Sequence, residues 1–215
     1  IPEDEREKFD SLPAQYSHLY LCIAGELAAV ICIFDPLRAE AKDAIRALHA
    51  CGISKVVMMT GDNRRTAASV AEEVGVDEFY AEVLPEDKAA FINREKAAGR
   101  TVIMIGDGVN DSPALSEADA GVAISTGAAI AREIADITIA SEDLFELVTL
   151  RRISEALMGR IHRNYRFIVG FNLGLIVFGV AGLLPPTTSA LLHNASTLAI
   201  SLKSMTNLLP DKKKI

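Results

Sequence analysis

With 215 residues and a net charge of −7, the chain has the length for one good domain and an appendage, and its acidic balance excludes a broad nucleic-acid surface. Half of the residues are hydrophobic, a high share for a soluble α/β domain of this size, and the surplus is gathered after Tyr165. Cys22, Cys32 and Cys51 are widely spaced on apolar stretches with no Cys-x-x-Cys pair, which predicts buried free thiols in a reducing compartment.

The acidic start, Ile1-Pro2-Glu3-Asp4-Glu5, is no signal peptide, and the polar residues up to about 18 read as the tail of a preceding domain. Strands are predicted over Leu19–Ile23 and Glu26–Phe34, turning near Gly25. A helix over Leu37–Ala50 places Ala41, Ala44, Ile45 and Leu48 on one face. The apolar run Val56–Met59 reads as a strand, followed by a helix from Arg64 to Val74 that Gly75 ends. Phe79–Val83 is a short strand, residues 86–98 a helix, and Thr101–Ile105 a buried parallel strand. Asp119–Ile124, residues 128–135 and Ile137–Ala140 follow as strand, short helix and strand. Alternation of this kind predicts βαβ units and a largely parallel sheet with right-handed crossovers.

Two strand tips carry chemistry. Gly106-Asp107-Gly108-Val109-Asn110-Asp111-Ser112-Pro113 follows the Thr101–Ile105 strand, at the end of an open α/β sheet where phosphate and metal sites are built. Asp107 offers Mg²⁺ a hard oxygen ligand, Asn110 an amide donor, and Gly106 and Gly108 a close backbone approach. Thr60-Gly61-Asp62-Asn63 ends the other strand, aiming the Thr60 hydroxyl and the Gly61 N–H at an anion. The structural alternatives are helix N-caps, at Asp111 in the first loop and at Thr60 or Asp62 in the second. Between the two lies Pro85-Glu86-Asp87-Lys88, where Lys88 is either a surface lysine or a charge turned inward.

These motifs together resemble the phosphorylation domain of P-type ATPases, of haloacid dehalogenase-like fold, and most closely the heavy-metal-transporting branch. The resemblance runs from about Gly25 to Leu209. It implies that Asp107 binds Mg²⁺, that Thr60, Lys88 and Asn110 contact an aspartyl phosphate, and that Asp111 supports them from behind; Gly61 and Asp62 belong to the same tip. Asp35-Pro36-Leu37-Arg38 is similar to the segment by which the family's chain re-enters this domain from the nucleotide-binding domain, so residues 1–24 would be the tail of that domain and 25–142 the phosphorylation domain. The family's nucleophile, an Asp followed by Lys-Thr-Gly, is absent from this sequence. The expectation is therefore a C-terminal portion of a longer pump, with ATP bound mainly by domains not represented here and with the N-terminal remainder as partner. Alone, this portion would hold half of an active site.

From Asp143 the helical period continues through a basic segment containing Arg151, Arg152, Arg160, His162, Arg163 and Arg166, predicted as a stalk over 143–166. Phe167–Leu184 is eighteen residues without a charge, close to the ~20 that cross a bilayer. After Pro185-Pro186, Thr187–Leu209 is a second segment of spanning length, and Lys212-Lys213-Lys214 lie in the tail 210–215. The prediction is a transmembrane hairpin over 167–209 with both ends cytoplasmic, in a multi-pass protein of the plasma membrane whose phosphorylation domain faces the cytoplasm. On the second helix His193, Ser196, Thr197, Ser201 and Ser204 share a face. His193 can ligate a transition metal, with Asn172 of the first helix, Ser196 and Thr197 as further contributors. The alternative is a packing face whose hydroxyls bond back to the helix, with His193 paired to a neighbouring helix. Lys203 can snorkel to the interface.

The run His193-Asn194-Ala195-Ser196-Thr197 is unlike the Met-and-Ser pattern of copper pumps and lacks the intramembrane Asp of the usual zinc and cadmium pumps. It is similar to branches with a His-led motif, which implies a divalent ion such as Zn²⁺, Cd²⁺, Co²⁺ or Mn²⁺. A potassium-pump catalytic subunit, a soluble haloacid dehalogenase-like phosphatase and a non-catalytic fragment are the competing readings. The phosphatase lacks its nucleophile here and has no use for a hydrophobic hairpin.

Overall fold

The structure, a computed structural model, describes residues 6–7, 11–13, 16–24, 26–33, 36–106, 110–124, 133–140 and 143–209. The chain divides into two compact units, Ile1–Val148 and Thr149–Ile215.

The first unit is α/β. Strands β1 (Ser17–Ile23) and β2 (Glu26–Ile33) form an antiparallel hairpin. Helix α1 (Ala41–Ala50) follows, burying Ala41, Ala44 and Leu48 as its period dictates. It begins later than the predicted Leu37, because Ala41 N–H first closes a turn on the Arg38 carbonyl at 3.0 Å. Strand β3 (Val57–Met59), helix α2 (Arg64–Val74), strand β4 (Glu78–Tyr80), helix α3 (Pro85–Ala97), strand β5 (Ile103–Gly106), helix α4 (Ser112–Glu117), and strands β6 (Ala120–Ile124) and β7 (Ile137–Ile139) complete the unit. The predicted alternation is present, and β3 pairs with β4, and β5 with β6 and β6 with β7, all in parallel. The helix predicted over 128–135 lies mostly outside the described residues. Cys22 and Cys32, predicted buried, are exposed on the hairpin, whose two-stranded sheet has too few layers to cover them.

One device sets the register of the parallel strands. Asp77, Asp119 and Asp136 each stand immediately before a strand, and their carboxylates accept the backbone N–H of Val56 (2.6 Å) just ahead of β3, Val102 (2.8 Å) just ahead of β5 and Gly121 (2.8 Å) in β6. A carboxylate so placed continues the ladder beyond the point where backbone pairing begins, and a charged acceptor makes the bond stronger than a neutral one. The Val102 N–H, against the desolvation of the site and with help from Lys96, holds the Asp119 carboxyl below the usual carboxylate range. Its folded pKa is thus lower than its unfolded one, so its stabilising contribution is complete above the ordinary range near pH 4 and is lost as pH falls through the folded value. The gap in Tm between the wild type and Asp119→Asn should accordingly be widest at neutral pH and close on acidification below about pH 4; a gap constant from neutral to acid pH would remove Asp119 from the ladder.

The core beneath the strand tips is built from Ile92, Met104, Ala114 and Leu115, with Met59, Val102, Ala118 and Ile134 packed against them. It draws on β3, α3, β5 and α4 together, so burial of these apolar groups also fixes the relative positions of the loops that follow β3 and β5.

In the second unit, helix α5 (Phe145–Val180), whose first turn belongs to the first unit, leads into α6 (Pro186–Ser204). The two run antiparallel: Asn172 meets His193, Asn164 meets Ser204, and Arg160 meets the carbonyls of Ser204, Thr206 and Asn207. Helix α5 thus runs through residues 145–166 and on into the apolar run as far as Val180. The predicted transmembrane hairpin is corrected here: among the described residues, no helix is long and apolar enough to cross a membrane. Helix α5 stops at Val180, and the last four residues of the uncharged run form a turn in which Gly182 takes φ +72°, a left-handed conformation that glycine adopts without strain. Upstream, α5 carries Arg160, Arg163 and Arg166, while α6 interrupts its leucines with His193, Asn194, Lys203 and several Ser and Thr residues.

Candidate phosphoryl site and its relatives

Thr60 continues the β3–β4 ladder one residue past the strand. Its N–H donates to the Tyr80 carbonyl and its own carbonyl accepts from Val83 N–H, both at 3.0 Å. Its position at the tip is therefore fixed by backbone bonds on both sides. The side chain closes a tight turn with Asp62: Thr60 Oγ1 donates to Asp62 Oδ2 at 2.8 Å and accepts from the Asp62 N–H at 3.1 Å. The cap of α2 is supplied by neither of them but by Asn63, whose Oδ1 accepts from Thr66 N–H at 3.0 Å. The capping alternative for Thr60 and Asp62 is thereby removed. Gly61 is exposed between them.

Lys88 lies in the first turns of α3 and is turned inward. Its Nζ is 2.7 Å from Asp111 Oδ1, with the two side chains only 15% and 12% exposed. Asp111 occupies the cap position of α4 but makes no side-chain cap bond there; its carboxylate faces Lys88 instead. Gly106 explains how it fits. A Cβ at that position would fall 2.5 Å from Asp111 Oδ2 and 2.8 Å from Asp111 Cβ, so the missing side chain is the space the aspartate fills. Sequence reasoning assigned that space to a ligand. Asn110 is exposed at the bend just before Asp111. Asp107, with Gly108 and Val109, lies outside the described residues, as does Asp35.

These segments converge for one reason. Met59 precedes Thr60, Ile92 lies one turn beyond Lys88, Met104 stands two residues before Gly106, and Leu115 one turn beyond Asp111, and all four belong to one apolar cluster. The oxygen donors gathered on these segments suit Mg²⁺, which takes hard oxygen ligands and keeps several waters; neither His nor Cys occurs in residues 59–66, 85–92 or 103–115. Among the described residues, which leave out Asp107, there is no cluster of three or more His, Cys, Asp or Glu that could hold a metal ion.

In the second unit, His193 Nδ1 lies 2.8 Å from Asn172 Oδ1. Ser196 and Thr197 both turn back to the His193 carbonyl, at 2.8 and 3.0 Å, and Ser201 bonds to the Thr197 carbonyl at 2.9 Å. The structure therefore brings His193 and Asn172 together and directs the hydroxyl protons of Ser196 and Thr197 into their own helix. Sequence reasoning missed Arg160 as the residue that ties the end of α6, with bonds of 2.8, 2.6 and 2.9 Å to three carbonyls; its density among other arginines hid it.

Comparison with known proteins gives the family. Residues 3–119 match the family model of haloacid dehalogenase-like hydrolases. Copper-transporting ATPase 2 of Rhizobium meliloti is 46% identical over 176 residues, which is 82% of this chain and 21% of that protein. The manganese-exporting P-type ATPase of Mycobacterium tuberculosis is 40% identical over 183 residues, 85% of this chain and 26% of that protein. The chain thus spans about a fifth to a quarter of the length of these curated relatives. A crystal structure of a zinc-transporting PIB-type ATPase in its E2.Pi state superposes with a TM-score of 0.81 at 30% identity, covering 95% of this chain and 34% of that one. On the family match and on these relatives, the chain belongs to the haloacid dehalogenase-like hydrolases and, within them, to the heavy-metal P-type ATPases.

Proposed function

We propose that this chain supplies the phosphate-holding half of the active site in an ATP-driven transition-metal export pump that works in a membrane. The observation that carries the reading is the inward-facing Lys88–Asp111 pair beneath Gly106. An ammonium held by a carboxylate on one side keeps donors for an anion on the other. Thr60 Oγ1 and the Gly61 N–H would hold phosphoryl oxygens at the β3 tip, Asn110 would donate its amide, and Asp111 would keep Lys88 in place. The aspartate that receives the phosphoryl group would come from residues outside this sequence, which has no Asp-Lys-Thr-Gly run. Asp107 would hold Mg²⁺, which when bound neutralises charge on the transferring group. Residues 25–142 would form the phosphorylation domain, on the cytoplasmic side, and 1–24 the end of the nucleotide-binding domain.

For the ion, the His-led run on α6 supports a divalent cation, Zn²⁺, Cd²⁺, Co²⁺ or Mn²⁺, with His193 and Asn172 as contributors. Relatives named for copper and silver make Cu⁺ and Ag⁺ the ions to test against these. In the intact pump, Asp107→Asn should abolish the phosphoenzyme formed from radiolabelled ATP; full labelling would remove the Mg²⁺ assignment. His193→Ala should change metal-stimulated turnover while leaving back-phosphorylation by inorganic phosphate largely intact. Equal stimulation of wild type and variant by every metal tested would make His193 structural.

A further inference from the structure

The second unit contains a cavity of about 480 Å³ between α5 and α6, lined on one side by Arg163, Asn164 and Phe167 and on the other by Ala199, Ile200 and Lys203. Arg160 also borders it, but its guanidinium is committed to the carbonyls that end α6. Arg163 and Lys203 have no such commitment: among the described residues neither side chain has a hydrogen-bond or ion-pair partner. The sequence supplies none nearby, since no Asp or Glu occurs between Glu155 and Asp211. Two cations on facing helices, in a stretch of chain without a carboxylate, are complementary to an anion brought from outside.

We infer that this cavity holds the phosphate headgroup of an anionic phospholipid. Arg recognises phosphate through its planar fork and Lys as a point charge, and basic pockets between helices favour such headgroups. The apolar residues select the amphiphile over a free anion. Phe167, Ala199 and Ile200 wall the cavity, and beyond them on the same helices Leu173, Ile176, Val177, Leu191 and Leu198 are all more than half exposed, a surface for acyl chains and not for inorganic phosphate. The volume lies within the usual range for ligand pockets and leaves room for a glycerol phosphate.

This inference rests on the reading of the intact protein as a membrane pump, and its test separates the two. The intact protein is placed in nanodiscs of phosphatidylcholine with phosphatidylglycerol as the minor component, and native mass spectrometry counts the lipid retained after release. The wild type should retain phosphatidylglycerol in preference to phosphatidylcholine. Arg163→Gln with Lys203→Gln should cut that retention about tenfold or more. Arg166→Gln, which removes one positive charge from α5 outside the cavity, should leave it unchanged. Equal retention of both lipids by the wild type, an equal loss in Arg166→Gln, or displacement of the lipid by added inorganic phosphate would each overturn the site. Metal-stimulated ATP hydrolysis is read from the same nanodiscs; its absence with lipid retention intact would count against the pump and not against the lipid site.

Discussion

Lys88→Met should lower stability by about 3 kcal/mol and abolish phosphoenzyme formation in the intact pump. The loss of stability follows from what remains. Asp111 is 12% exposed, so removing the ammonium 2.7 Å away strands a nearly buried carboxylate without its counter-charge. The loss of activity would have a different origin, the donor that the proposed site offers a phosphoryl oxygen, and a double variant separates the two. Lys88→Met with Asp111→Leu replaces the pair by apolar groups of similar volume. Such replacements are often neutral or stabilising, so the melting temperature should return most of the way to the wild-type value while phosphorylation stays absent. Chemical denaturation of the chain and labelling of the intact protein by ATP measure the two effects. Recovery of both together would make the pair purely structural.

Gly106→Ala should have the second largest effect. The added Cβ would stand 2.5 Å from Asp111 Oδ2 and 2.8 Å from Asp111 Cβ, distances that force the aspartate away. Overpacking of this kind costs about 1–3 kcal/mol, and here the displaced group is the partner of Lys88, so phosphorylation should fall as well. Asp111→Gly in the same chain removes the three atoms an alanine would strike most closely. That second change should relieve the strain without restoring activity. A Gly106→Ala protein with wild-type stability and labelling would show that the loop holding Asp111 relaxes freely.

Much of the first unit was legible because short apolar runs ending in Gly, Asp or Thr have few other uses. Val57–Met59 and Ile103–Gly106 fall within a residue or two of their predicted bounds, and α2 runs from Arg64 to Val74 as its period and Gly75 dictate. What could not be read was the direction of a side chain. Lys88 and Asp111 are 23 residues apart, and nothing in the sequence says whether the lysine turns to solvent or to the aspartate; the packing of Ile92 and Leu115 into one cluster decides it. The same loss of information explains the space over Gly106. A glycine in sequence announces a close approach but not what approaches. In the second unit, hydropathy located an uncharged run but not where its helix ends, and the turn at Gly182 divides it. The Ser and Thr residues of α6 were visible as a polar face, yet only their geometry shows the hydroxyls of Ser196 and Thr197 closing on the His193 carbonyl.

The turn between Thr60 and Asp62 has a consequence for the order of events at the β3 tip. A threonine hydroxyl has one proton, and here it is given to Asp62 Oδ2. A phosphoryl oxygen arriving at Thr60 therefore finds the oxygen's lone pairs, not its proton, and meets the charge of Asp62 nearby. For the hydroxyl to donate to it, the proton must swing from one acceptor to the other. Anion capture at this tip is then an exchange of one hydrogen bond for another, with little net gain from that bond alone. In the proposed role Asp62 would be the resting acceptor to which the hydroxyl turns back once phosphate leaves, so this bond would weigh on release as much as on capture.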